Sequence, residues 1–138
     1  MKYYVVIDTN VIVSGLIAKQ DTNVYKVLSL LYSGDIIPLY SKEILDEYKM
    51  VLSRDKFNLK KSHIGRFINI LKTNGIKVTP QHLEVEIPDQ DDIKFYELVM
   101  DKSIKSNKYL ITGNIKHYVK NPIIMTPDEF IKVVNKQQ

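Results

Sequence analysis

The sequence predicts an α/β fold: one domain over residues 1–138, in three α/β/α layers around a central, mainly parallel sheet. Three observations lead there. Short β-branched runs alternate with segments of helical period along the whole chain, the pattern of strand–helix–strand units. The first strand candidate closes on a polar triplet, Asp8-Thr9-Asn10, where a helix begins. The 138 residues are 44% hydrophobic and 26% charged, enough for one core and too few for two.

Tyr3 to Ile7 is β-branched and aromatic and reads as a buried strand. Asn10 can cap a helix opening with Val11, Ile12 and Val13. Gly15 sits inside that helix, where it costs stability unless something packs close to it. Val24, Val27, Leu28 and Leu31 mark a second helix that stops at Ser33-Gly34. Ile36 to Leu39 is a short strand whose Pro38 predicts an edge, a bulge or a weakly formed strand. Ser41 caps a helix with Ile44, Leu45, Tyr48, Val51 and Leu52 on one stripe.

A basic segment then carries Ile64, Phe67, Ile68 and Leu71 at helical spacing and ends at Gly75. Ile76 to Val78 and Val85 to Ile87 are strand candidates separated by Thr79-Pro80. Pro88-Asp89 opens a helix expected to run to about Ser103. Tyr109 to Thr112 and Ile123 to Met125 read as strands, and Pro127 stands where a final helix would start.

Several function classes drop out on composition. There is no Cys, which removes disulfide frameworks, thiolate metal sites and cysteine nucleophiles. No apolar run approaches the ~20 residues of a membrane span and no signal-peptide pattern opens the chain, so the expected setting is cytoplasmic with no membrane partner. The net charge of +4 hints at an anionic partner. Basic residues gather at Arg54, Lys56, Lys60, Lys61 and Arg66, and again at Lys102, Lys105, Lys108, Lys116 and Lys120, where they can equally be solvating helix surfaces.

Against this background the acids stand out. Ligands of such sheets bind beyond the carboxyl ends of the strands, near the reversal of strand order. Asp8 follows the first strand directly and is expected at that rim; a helix cap is its plainer role. Glu47 borders the apolar stripe of its helix, where a carboxylate is costly unless paired or bound to a cation. Asp89 and Asp91 suit the cap and first turn of a helix, whereas Asp92 precedes Phe95, Tyr96 and Val99 at i+3, i+4 and i+7 and is expected to face inward. Thr112-Gly113-Asn114 ends another strand on the same rim. His117 follows, with Lys116 beside it, and both are candidate phosphate contacts. His63 and His82 match no ligand spacing.

Acids converging on one rim repel one another, and a hard divalent cation makes the arrangement favourable. Oxygen ligands suit Mg²⁺ or Mn²⁺. Such an ion lowers the pKa of bound water and steadies phosphoryl charge, the requirements of phosphodiester hydrolysis. Basic flanks would hold the nucleic-acid backbone.

The ordered set Val-Ile-Asp8-Thr-Asn-Val, Ser41-Lys-Glu-Ile-Leu-Asp-Glu47-Tyr, Pro88-Asp-Gln-Asp-Asp92-Ile-Lys-Phe-Tyr, Leu-Ile-Thr-Gly-Asn114-Ile-Lys-His-Tyr and Ile-Met-Thr-Pro127-Asp-Glu-Phe resembles PIN-domain proteins. More narrowly it resembles toxin components of bacterial toxin–antitoxin pairs. The resemblance covers essentially the whole chain. It implies a PIN-like fold and a Mg²⁺- or Mn²⁺-dependent endoribonuclease. Asp8, Glu47 and Asp92 would be catalytic and ligate the metal, with Asp91 assisting. Thr9, Asn10, Thr112 and Asn114 would support them. A homodimer and a protein antitoxin are further expectations. Asn114 stands where many PIN domains carry a fourth Asp, which leaves one or two metal ions open.

Two rivals remain. A PIN-like module that binds RNA or an antitoxin with little or no cleavage draws on Asn114. A phosphate-ester hydrolase with an aspartyl nucleophile, or a phosphoacceptor domain, draws on Asp8. The hydrolase wants a second carboxylate two residues on, where Asn10 stands, and the phosphoacceptor wants an acidic pair where Ile7-Asp8 supplies one acid.

Overall fold

A computed structural model describes residues 2–136. The chain runs through β1 (Tyr3–Ile7), α1 (Thr9–Ile17), α2 (Asn23–Ser33), β2 (Ile36–Tyr40), α3 (Lys42–Leu52), α4 (Lys61–Asn74) and β3 (Ile76–Lys77). It continues through α5 (Ile93–Val99), β4 (Lys108–Ile111), β5 (Ile124–Met125) and α6 (Pro127–Lys136). Single 3-10 turns lie at Asp55–Phe57, Gln90–Asp92 and Ile115–His117.

The sheet has the order β3-β2-β1-β4-β5 and every neighbouring pair is parallel. With helices packed on the sheet, this is the three-layer α/β architecture that the alternating pattern predicts. From β1 the chain steps outward to β2 and β3, then crosses back to β4 on the far side of β1. That return is covered by α5, which packs on β1, β2 and β4. The reversal leaves a crevice beyond the carboxyl ends of β1 and β4, the standard place for a ligand in such sheets. Val5, Val6 and Ile7 are all buried, as befits a central parallel strand covered on both faces.

Helix packing fixes the rest. Phe130 of α6 meets Tyr3 and Tyr109 edge-on at 5.9 and 5.7 Å between ring centroids, which seats the last helix on β1 and β4. Tyr48 and Phe67 make the same kind of contact at 5.6 Å and join α3 to α4. Such pairs contribute about 0.5–1.5 kcal/mol beyond area burial. Gly15 lies where a Cβ would stand 3.1 Å from the Val24 carbonyl oxygen, so its lack of a side chain lets α1 approach α2.

Several sequence expectations are corrected. α1 starts at Thr9, not Val11, and of the two capping residues the sequence offers, Asp8 and Asn10, the cap is Asp8. Val85 to Ile87 form no strand: Ile87 is buried and Glu86 exposed, and the Leu83 N–H donates to the Glu97 carboxylate (2.7 Å). The apolar–polar alternation there is satisfied by tethering to α5 rather than by a ladder. The helix expected from Pro88 to about Ser103 is a 3-10 turn followed by α5, which ends at Val99. An Asp101 cap on Ser103 (2.9 Å to its N–H) turns the chain toward β4. Pro38 lies in the interior strand β2, not at an edge. It pairs with Val5, while β3 joins β2 only from Leu39 onward. Beside the proline lies Gly75, where a Cβ would fall 2.8 Å from the Pro38 carbonyl oxygen.

Candidate active site

Asp8 directly follows β1 and caps α1, and its place at the rim and its capping role do not compete. One carboxylate oxygen, Oδ1, accepts from the Asn10 backbone N–H (3.1 Å). The other, Oδ2, accepts from the Thr112 hydroxyl (2.9 Å) and lies 3.4 Å from the Tyr118 hydroxyl. Thr112 directly follows β4, so this bond spans the strand-order reversal. The Asp8 backbone N–H donates to the Ile111 carbonyl (2.9 Å), which sets the residue in line with the ladder.

Glu47 reaches the same rim from α3. The Tyr48 hydroxyl beside it donates to the Ile7 carbonyl, which docks α3 on the end of β1. Glu47 is half-buried, and both its oxygens have donors. The Thr9 hydroxyl donates to Oε2, and the Lys94 ammonium lies 2.8 Å from Oε1. Lys94 also donates to the Asp91 carbonyl.

Asp92 ends the 3-10 turn before α5, and its side chain is 16% exposed. His117 Nδ1 lies 3.1 Å from its Oδ2. Asp89 accepts from the Asp91 N–H (3.0 Å) and still offers a carboxylate oxygen to the same spot. Ligand atoms of Asp89, Asp92 and His117 lie within 4.8 Å of one another, the one such group among the described residues.

The electrostatics show the acids converging. Burial pushes the Asp92 carboxyl above its usual range, the Asp8 charge adds to the rise, and the His117 hydrogen bond opposes it. The Tyr118 hydroxyl is pushed far up by burial and then by Asp8, Asp92 and Glu47. Burial likewise raises Tyr48, with Asp8 and Glu47 contributing. Three carboxylates from three distant parts of the chain therefore act on one phenol. Such a donor set, hard oxygens with one imidazole, fits a divalent cation.

The other predicted residues occupy less central places. Asp91 is exposed, and its side chain lies outside the Asp89–Asp92–His117 group. Asn114 is exposed at the rim, its backbone N–H donating to the Thr112 hydroxyl (3.0 Å). Asn10 and Lys116 are exposed as well. Beside the rim, a groove of about 430 Å³ is lined by Asn10, Ser14, Asn23, Gly113 and Asp128 among others.

Sequence reasoning missed Lys94, Tyr118 and the second role of Asp89. Lys94 carried a signal, a lysine between Ile93 and Phe95 with Leu98 four residues on, hence on a buried face. Asp89 was fully explained as a cap, and nothing marked Tyr118.

No curated protein matches the chain. A family model described as PIN domain matches residues 4–116, from Tyr4 in β1 through β4 to Lys116, which takes in Asp8, Glu47, Asp92 and Thr112 and ends just before His117 and Tyr118. Through that match, over a parallel sheet whose crevice gathers Asp8, Glu47 and Asp92, the chain belongs to the PIN-domain family, whose fold is of nuclease type.

Proposed function

We propose that the protein is a Mg²⁺- or Mn²⁺-dependent endoribonuclease that hydrolyses RNA phosphodiester bonds. In this reading it is the toxin of a toxin–antitoxin pair, acting in the cytoplasm, with a protein antitoxin as partner and a homodimer as working form. The observation that carries the nuclease reading is the rim at the strand-order reversal, where Thr112 holds the Asp8 carboxylate, the Asp8 charge acts on Asp92, and ligand atoms of Asp89, Asp92 and His117 lie within 4.8 Å of one another. Acids so placed repel one another unless a cation stands among them.

Asp8 and Asp92 would hold the ion, with Asp89 and His117 adjoining Asp92. When bound, the ion lowers the pKa of a water and neutralises charge on the phosphoryl oxygens. The chain supplies orientation. Donors from Asn10 and Thr112 lock the Asp8 carboxylate, and Thr9 and Lys94 lock Glu47. In the hydrolysis a water oxygen bonds to phosphorus, one P–O ester bond breaks and the departing oxygen takes a proton. Asp91 and Asn114 stand in support at the edge of the site. Exposed Lys116 and Lys120, just past the rim, suit the phosphate backbone, and the groove beside Asn10 and Gly113 offers an approach.

Matched end-labelled single-stranded RNA and DNA oligonucleotides, incubated with the protein in Mn²⁺, in Mg²⁺ and in EDTA, test this. Internal cleavage of RNA with either ion and none in EDTA is the expected result. Intact RNA under all three conditions would favour the module that binds without cutting.

A further inference from the structure

We infer that the Lys94 ammonium is the resident cation of the Glu47 side of the rim, so that the site takes one divalent ion, on Asp8 and Asp92, and Glu47 is not among its ligands. This rests on the reading of the rim as a metal-dependent nuclease site.

Lys94 is 9% exposed and its ammonium lies 2.8 Å from Glu47 Oε1. The remaining Glu47 oxygen accepts from the Thr9 hydroxyl. A divalent ion could use Glu47 only by displacing one of these donors. Displacing Lys94 would leave a buried ammonium facing a backbone carbonyl, that of Asp91, as its other acceptor. A buried charge without its partner is strongly unfavourable. The Asp8–Asp92 side is different. Asp8 has neutral donors, from Asn10, Thr112 and Tyr118, Asp92 has the His117 imidazole, and no lysine or arginine lies within ion-pair distance of either acid among the described residues.

Lys94 also acts as a positioning residue. Through Glu47 it joins the start of α1 at Thr9 to α3. Through the Asp91 carbonyl it fixes the turn that carries Asp89 and Asp92. One cation thus ties three chain segments at the rim, on the side that a second metal ion would otherwise have to occupy. Asn114, an exposed amide at the rim, adds no charge in favour of a second ion.

The test is Mn²⁺ binding to the full chain, by calorimetric titration and by counting free Mn²⁺ with electron paramagnetic resonance. One ion per chain is expected for the unmodified protein. Glu47→Gln, which keeps the side chain's shape and one acceptor oxygen for Lys94 while removing the charge, should bind one ion with an affinity within about threefold of the parent, whereas Asp92→Asn should lose tenfold or more. Lys94→Met should gain a second, weaker ion through the freed Glu47. Two ions on the unmodified protein, or a tenfold loss in Glu47→Gln, would overturn the inference and leave the nuclease reading standing. No bound ion at all would overturn both.

Discussion

The Thr112 hydroxyl donates to Asp8 Oδ2 at 2.9 Å, joining two residues 104 positions apart across the point where the strand order reverses. Thr112 is fully buried and Asp8 nearly so, so the bond sets the carboxylate's rotamer in a site screened from water. Thr112→Val keeps the shape and removes the donor. Mn²⁺ affinity should fall about 10–100-fold, as when the orienting partner of a metal ligand is lost. Stability should fall by about 1–3 kcal/mol, a hydrogen bond to a charged group. Titration and thermal melts of the same preparations check both.

The raised Asp92 carboxyl makes a pH prediction for the metal-free protein. Its folded pKa lies above the ordinary 3.8 because of burial and Asp8. The folded chain therefore holds this proton more tightly than the unfolded chain does. The contribution of Asp92 to stability is greatest in acid and is lost as pH rises from 3.8 through the folded value. At neutral pH the charged form is a burden, so Asp92→Asn should raise the melting temperature in EDTA by a few degrees, at roughly 4 °C per kcal/mol. Adding Mn²⁺ should raise the melting temperature of the parent and much less that of the variant. Melts between pH 4 and 8, with and without the ion, give the comparison.

Gly75 is a packing prediction away from the site. A Cβ there would fall 2.3 Å from the Leu71 carbonyl oxygen and 2.8 Å from that of Pro38, both backbone atoms. Gly75→Ala should destabilise by about 1–3 kcal/mol, the usual cost of overpacking, through the α4–β3 turn. Metal affinity should be unchanged. Urea unfolding paired with Mn²⁺ titration separates the two.

Glu97 anchors the irregular segment that leads to the acids. It is buried, accepts from the Leu83 N–H (2.7 Å), and lies 2.6 Å from His82 Nδ1. Glu97→Ala should free residues 79–88 and expose them to limited proteolysis, at a stability cost of about 1–3 kcal/mol for the orphaned N–H. Mapping the first cut by mass spectrometry checks the location.

The fold was legible because hydrophobic period and helix punctuation act locally. Tyr3–Ile7, the α2 stop at Ser33 and the α6 start at Pro127 were each visible in a few residues. Val85 to Ile87 misled because alternation reports burial of one face and not what that face is buried against. Pro38 misled for a related reason: whether a strand is interior depends on its neighbours, and β3 joins it just past the proline. At the site, Asp8 and Thr112 were placed by the rule that strands end at the rim. The Lys94–Glu47 pair links residues 47 apart through tertiary packing, and periodicity alone could show only that Lys94 lies on a buried face. The meeting of Asp89 with Asp92 and His117 depends on a 3-10 turn where the helical pattern suggested continuous α-helix.

Cleavage of a mixed RNA pool by the unmodified protein and by Asp8→Asn, side by side in Mn²⁺, bears most directly on the nuclease claim. Asn keeps the volume of the side chain but removes the charge from the centre of the rim. Fragments from the parent, none in EDTA and at least a hundredfold fewer from the variant are the predicted result. Equal cleavage by parent and variant, or cleavage that persists in EDTA, would contradict the account.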